Sequence, residues 1–61
     1  MRDKLEKYIK QNFTSPSIWH YEEGETCCYI RFISMDKLYL ATLFKISGHM
    51  EVFKLERNVL I

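Results

Sequence analysis

Between Thr26 and Ile46 the chain reads TCCYIRFISMDKLYLATLFKI, two apolar runs each long enough for a strand and joined at Ser34-Met35-Asp36-Lys37. A strand wetted on one side alternates apolar and polar residues, whereas one covered on both sides is apolar nearly throughout. Leu38 to Phe44 hardly alternates, which predicts the central strand of a small sheet. Upstream, Leu5, Tyr8, Ile9, Asn12 and Phe13 fall on one stripe at helical spacing, predicting a helix over 3–13. Asp3 with Glu6 has capping-box spacing, and Asp3–Lys7 and Glu6–Lys10 are acid-then-base pairs one turn apart. Thr14-Ser15-Pro16 ends the helix, because a residue before proline is pushed out of the α region.

Ser17 to Glu23 is rich in β-forming residues and predicts a strand over 18–23, followed by one over 26–33. Glu22-Glu23-Gly24-Glu25 reads as a type I turn followed by a left-handed glycine. The register expected here sets Trp19 and Tyr21 on the face of Cys28, Ile30 and Phe32, which gathers the larger apolar set. A slip of one residue would move them to Cys27, Tyr29 and Ile33. Ser47-Gly48 has the look of a two-residue hairpin turn between strands over 38–46 and 49–56. Val52, Leu55, Glu56 and Val59 also sit at helical spacing, but EVFKL favours a strand, with 57–61 left as an apolar tail.

The order is α-β-β-β-β, and the expected fold is α+β. An N-terminal helix packs on one face of a small four-stranded antiparallel meander, in one domain over 1–61. One sheet face collects Leu38, Leu40, Phe44, Ile46, Phe53 and Leu55; the other collects Tyr39, Ala41, Leu43 and Lys45 with Met50, Val52, Lys54 and Glu56. The first set is almost pure hydrocarbon and is expected beneath the helix. A chain of this size buries only about 60% of its unfolded surface, so a lone core is marginal. Hydrophobic residues make up 48% of the chain, more than one short helix can hide. Tyr39, Leu43, Met50 and Val52, on the face expected to be bare, are therefore the candidate interface.

Composition narrows the chemistry. Nine basic and eight acidic residues give a net charge of +1, which neither attracts nor repels a phosphate backbone. No apolar run approaches the length of a membrane span and no apolar leader is apparent, so no membrane association is expected and the cytoplasm is the expected location. Cys27 and Cys28 are adjacent and would point to opposite faces of a strand, so a disulfide between them is not expected. They suit small apolar fillers better than a redox or zinc pair, which needs spaced ligands such as C-x-x-C.

His20 could face Cys27 across the first hairpin, but no orienting third group accompanies them, and His49 belongs to another turn. Glu22, Glu23 and Glu25 cluster at a hairpin tip, where no cleft is expected to bury them for acid–base work. No glycine-rich phosphate loop is present. No catalytic residues, cofactor site or metal site are therefore expected, and the chain is read as a non-enzyme.

The expected function is a small non-catalytic protein–protein interaction module. It would self-associate as a homodimer and act as an adaptor or inhibitor of a larger protein partner, a role familiar among short chains encoded by phages and mobile elements. The alternative is a single-stranded nucleic-acid binder using sheet aromatics with Arg31, Lys45 and Lys54.

Overall fold

A computed structural model of the chain describes residues 2–55. It comprises α1 (Arg2–Asn12), β1 (Ser17–Glu23), β2 (Cys27–Ser34), β3 (Lys37–Phe44) and β4 (Met50–Leu55). The four strands form one antiparallel sheet in chain order, and α1 lies across one face over β2 and β3. The expected helix-on-meander architecture is the one observed. The tail over 57–61 lies outside the described residues.

The stripe on α1 works as its spacing implies. Leu5 and Ile9 are fully buried, and Phe13 is packed against the core just past the last turn, its N–H still donating to the Ile9 carbonyl at 3.0 Å. The helix already includes Arg2 and Asp3, so the Asp3–Glu6 capping box gives way to an exposed ion pair between Arg2 and Glu6 at 2.7 Å. Asn12 also donates its side-chain amide to the Tyr8 carbonyl one turn back, at 2.8 Å. Ser15 then takes a left-handed φ of 43°, turning the chain toward β1. The buried Ser34 hydroxyl donates to the Thr14 carbonyl at 2.7 Å and fastens that connection to the sheet.

The face beneath α1 is not the one expected. It carries Cys28, Ile30 and Phe32 from β2, with Ala41 and Leu43 from β3, all fully buried. Tyr39, Met50 and Val52 pack against this core, as do Ile18 and Tyr21 of β1. The candidate interface Tyr39, Leu43, Met50 and Val52 is therefore part of the interior. The physical reason is the helix itself: Leu5 and Ile9 are fully buried over this face, where Ala41 near the middle of β3 is small, and Phe13 closes the end by packing its ring 4.9 Å from both Phe32 and Tyr39. Of the set expected inside, Leu38, Leu40, Phe44, Phe53 and Leu55 occupy the open face instead, and Ile46 lies out in the β3–β4 loop.

The hairpins differ from one another. Ser34 and Lys37 pair directly, and Met35 and Asp36 between them have φ of 53° and 66°, the signature of a type I′ turn. The β3–β4 connection runs over 45–49 rather than through a two-residue turn, and the Phe44 N–H donates to the His49 carbonyl across it at 2.8 Å. Gly48 closes it with φ 75° and an N–H bond to the Phe44 carbonyl at 2.8 Å. Gly24 is not left-handed; its N–H donates to the Cys27 carbonyl at 2.8 Å, and a Cβ there would stand 3.3 Å from that same oxygen.

In β1 the register jumps between Ile18, opposite Phe32, and His20, opposite Arg31. The extra residue is Trp19. A bulge of this kind lets Ile18 and Tyr21 both face the helix although their spacing breaks the two-residue repeat. Tyr21 thus joins Ile30 as expected, whereas Trp19 does not.

Candidate interaction surface

The open face is a grid of three cross-strand rows fixed by the register. The first runs Ser17, Ile33, Leu38, Leu55; the second His20, Arg31, Leu40, Phe53; the third Glu22, Tyr29, Thr42, Glu51. Beyond the third row, Cys27 pairs with Phe44, whose ring stacks on His49 at 5.9 Å. Trp19, thrown out by the bulge, sits beside the second row with its ring 5.9 Å from the Arg31 guanidinium. No described element covers these side chains.

The first two rows make a continuous apolar field. Phe53 is 53% exposed, Trp19 52% and Ile33 39%, while Leu38, Leu40 and Leu55 between them are partly exposed. Arg31 is the one cation in those rows, and its stem and the Trp19 ring extend the field toward β1. The third row is polar. Thr42 is nearly buried there, and each flanking carboxylate has an imidazole two residues away in the chain: His20 lies 3.4 Å from Glu22, and His49 lies 3.2 Å from Glu51. The surface is greasy at one end and ionic at the other.

The electrostatic perturbations lie around the loop end of the sheet. Lys45 reaches across from the β3–β4 loop to Glu23 at 2.8 Å and to the Gly24 carbonyl at 2.7 Å. The Lys45 hydrogen bond, aided by one from Tyr21, holds the Glu23 carboxyl below its usual value. The same Glu23 carboxylate accepts from the Tyr21 hydroxyl at 2.8 Å and pushes the phenol's pKa well up. Tyr29 is raised chiefly by its contact with the Cys27 thiol, 3.3 Å from the hydroxyl. These shifts report local hydrogen bonds at the surface.

The residues weighed for chemistry are dispersed. His20 pairs with Arg31 across the sheet and contacts Glu22, while Cys27, on the neighbouring strand, lies beyond the third row opposite Phe44, so no Cys–His couple forms. Cys28 is buried in the core and Cys27 is half-buried on the other side; both are free thiols. Among the described residues no three His, Cys, Asp or Glu side chains converge as a metal set. Arg31, Lys45 and Lys54 do not share a surface: Arg31 is on the open face, Lys45 is held by Glu23, and Lys54 pairs with Tyr39 on the helix side. Among the described residues no helix is long and apolar enough to cross a membrane.

Sequence reasoning missed Trp19, Ile33, Leu40 and Phe53 as surface residues. Leu38, Leu40, Phe53 and Leu55 were legible as one set, and the missing element was which side the helix takes. No family model, curated protein or solved structure matches this chain. The geometry of the open face therefore carries the functional reading alone.

Proposed function

We propose that this chain is a small non-catalytic protein–protein interaction module that works by burying the open face of its sheet against an apolar protein surface. The observation that carries this reading is the field formed by Trp19, Ile33, Leu38, Leu40, Phe53 and Leu55, which lies outside a core already filled from the other side. Proteins that act alone seldom leave so continuous an apolar area in water, and patches of this kind mark binding sites. Aromatic anchors beside an arginine are also the composition in which binding energy concentrates. An adaptor or inhibitor role fits a chain whose chemistry-bearing side chains stay apart.

Nucleic-acid binding is less well supported, since among the described residues Arg31 beside Trp19 is its one cation–aromatic pair on this face. The test is site-specific photo-crosslinking in the cells that make the protein, with benzoylphenylalanine placed at Phe53 or, as a control, at Lys10 on the outer side of α1. Position 53 is expected to form protein adducts, identified by mass spectrometry, that disappear in Leu40→Lys. Position 10 is expected to form none. Equal labelling from both positions, or none from position 53, removes the reading.

A further inference from the structure

We propose that the occupant of the open face is a second copy of this chain, packed sheet against sheet about a two-fold axis that runs along the strands between β2 and β3. This inference rests on the interaction-module reading and names its partner.

The first argument is area. Four strands about 4.8 Å apart, each six to eight residues long at about 3.3 Å per residue, give a flat footprint of roughly 430 Å². Two copies together cover roughly 900 Å² before the relief of the side chains is added, and specific interfaces begin near 1,000 Å². The face comes close to that threshold, and only when all of it is used. A closed two-fold pair uses all of it, because the same patch serves both sides.

The second argument is the register. Rotation about the strand direction exchanges β1 with β4 and β2 with β3, and it lays each cross-strand row on itself. Ile33 then meets Leu38 of the second copy, and Trp19 meets Phe53 of the second copy. The stem of Arg31 lies over Leu40 while its guanidinium stays at the Trp19 ring. Strands in two such sheets stay within about 30° of one another, the aligned packing of sandwiches. Rotation about an axis across the strands does worse. It lays the Ile33–Leu38–Leu55 row on the Tyr29–Thr42–Glu51 row, hydrocarbon against polar groups.

The arrangement has one unfavourable contact, and it supplies the test. On the strand-parallel axis Glu22 of each copy faces Glu51 of the other at the rim. Sedimentation equilibrium between about 1 μM and 1 mM, the range set by a small interface, is expected to show the mass rising from 7.4 kDa to twice that value. Phe53→Lys, and independently Trp19→Ser, should hold it at 7.4 kDa with circular dichroism unchanged. Glu51→Lys should tighten the pair about two- to tenfold by replacing two rim repulsions with two attractions, and Glu22→Lys/Glu51→Lys should undo the gain.

A single-copy mass throughout, or an undiminished pair in both Phe53→Lys and Trp19→Ser, overturns the proposal. So does Glu51→Lys with unchanged or weaker association, which rules out the strand-parallel axis. If the protein stays single while position 53 crosslinks to a different polypeptide, the second copy is excluded and the interaction-module reading stands. If position 53 crosslinks to nothing, both fall.

Discussion

Leu43 offers the sharpest way to ask which face of the sheet is the inside. It is fully buried between Cys28 and Met50 beneath α1, whereas Phe53 on the adjacent strand points to the open side and is half exposed. Truncating a buried leucine costs about 2–5 kcal/mol, the lost transfer energy plus the cavity left behind. A 61-residue domain has only about 3–9 kcal/mol of stability in total, at the usual 0.05–0.15 kcal/mol per residue. Leu43→Ala should therefore remove a large fraction of it. With a urea slope near 1 kcal/mol/M, the midpoint falls by about 2 M or more. Leu43→Lys adds the several kcal/mol needed to bury an ammonium and should not fold. Phe53→Ala and Phe53→Lys, by contrast, should stay within about 1 kcal/mol of the parent, as surface substitutions do. The assay is urea unfolding followed by far-UV circular dichroism, at a concentration low enough for single copies to dominate. A folded Leu43→Lys, or a Phe53→Ala loss matching that of Leu43→Ala, would mean that the faces are reversed and would refute the reasoning.

Two further outcomes follow from the turns. Asp36→Gly should raise stability by about 0.5–1 kcal/mol, because a side chain at left-handed φ costs about 1–2 kcal/mol, and the added freedom of glycine in the unfolded chain returns part of the relief. A thermal melt would show a rise of a few degrees, and an unchanged or lowered melting temperature would count against the type I′ assignment. Lys45→Met should destabilise the protein at neutral pH more than in acid. Glu23's carboxyl is held low in the folded chain, so its contribution is fully present above the unfolded carboxylate value of about 4.3 and is lost as pH falls through the lower folded value. Melts of both proteins at neutral and at strongly acidic pH should converge in acid, and a gap that stays constant would show that the Glu23 contact contributes nothing.

Much of this fold was legible in the chain, for identifiable reasons. The stripe Leu5, Ile9, Phe13 has one interpretation at helical spacing, and the apolar runs on either side of Met35-Asp36 have one as strands. The division of β3 and β4 into two faces survived an error in their loop. A two-residue turn would set Ile46 against His49, whereas the observed hairpin sets Phe44 there, and a shift of two residues leaves every side chain on the side it had. What the pattern could not supply was the side on which α1 lies. Alternation says which residues travel together and is silent on which group the helix covers, and the more apolar group proved to be the bare one. The choice is made by the turn at Ser15, the Ser34–Thr14 bond and the room above Ala41, none of which has a periodic signature. Trp19 was misplaced for a different reason: the two-residue repeat fails at the bulge, so one register cannot describe all of β1.

That bulge also bears on how the molecule behaves when crowded. A ribbon of sheets grows indefinitely only if each molecule presents two regular borders for neighbours to extend. The border at β1 is kinked by an inserted residue and carries a bulky indole, a recognised way of blunting an edge against strand addition. Lateral polymerisation into filaments is thereby discouraged at one of its two required ends, so a chain this rich in apolar surface can keep a sticky face without recruiting its neighbours into a fibre.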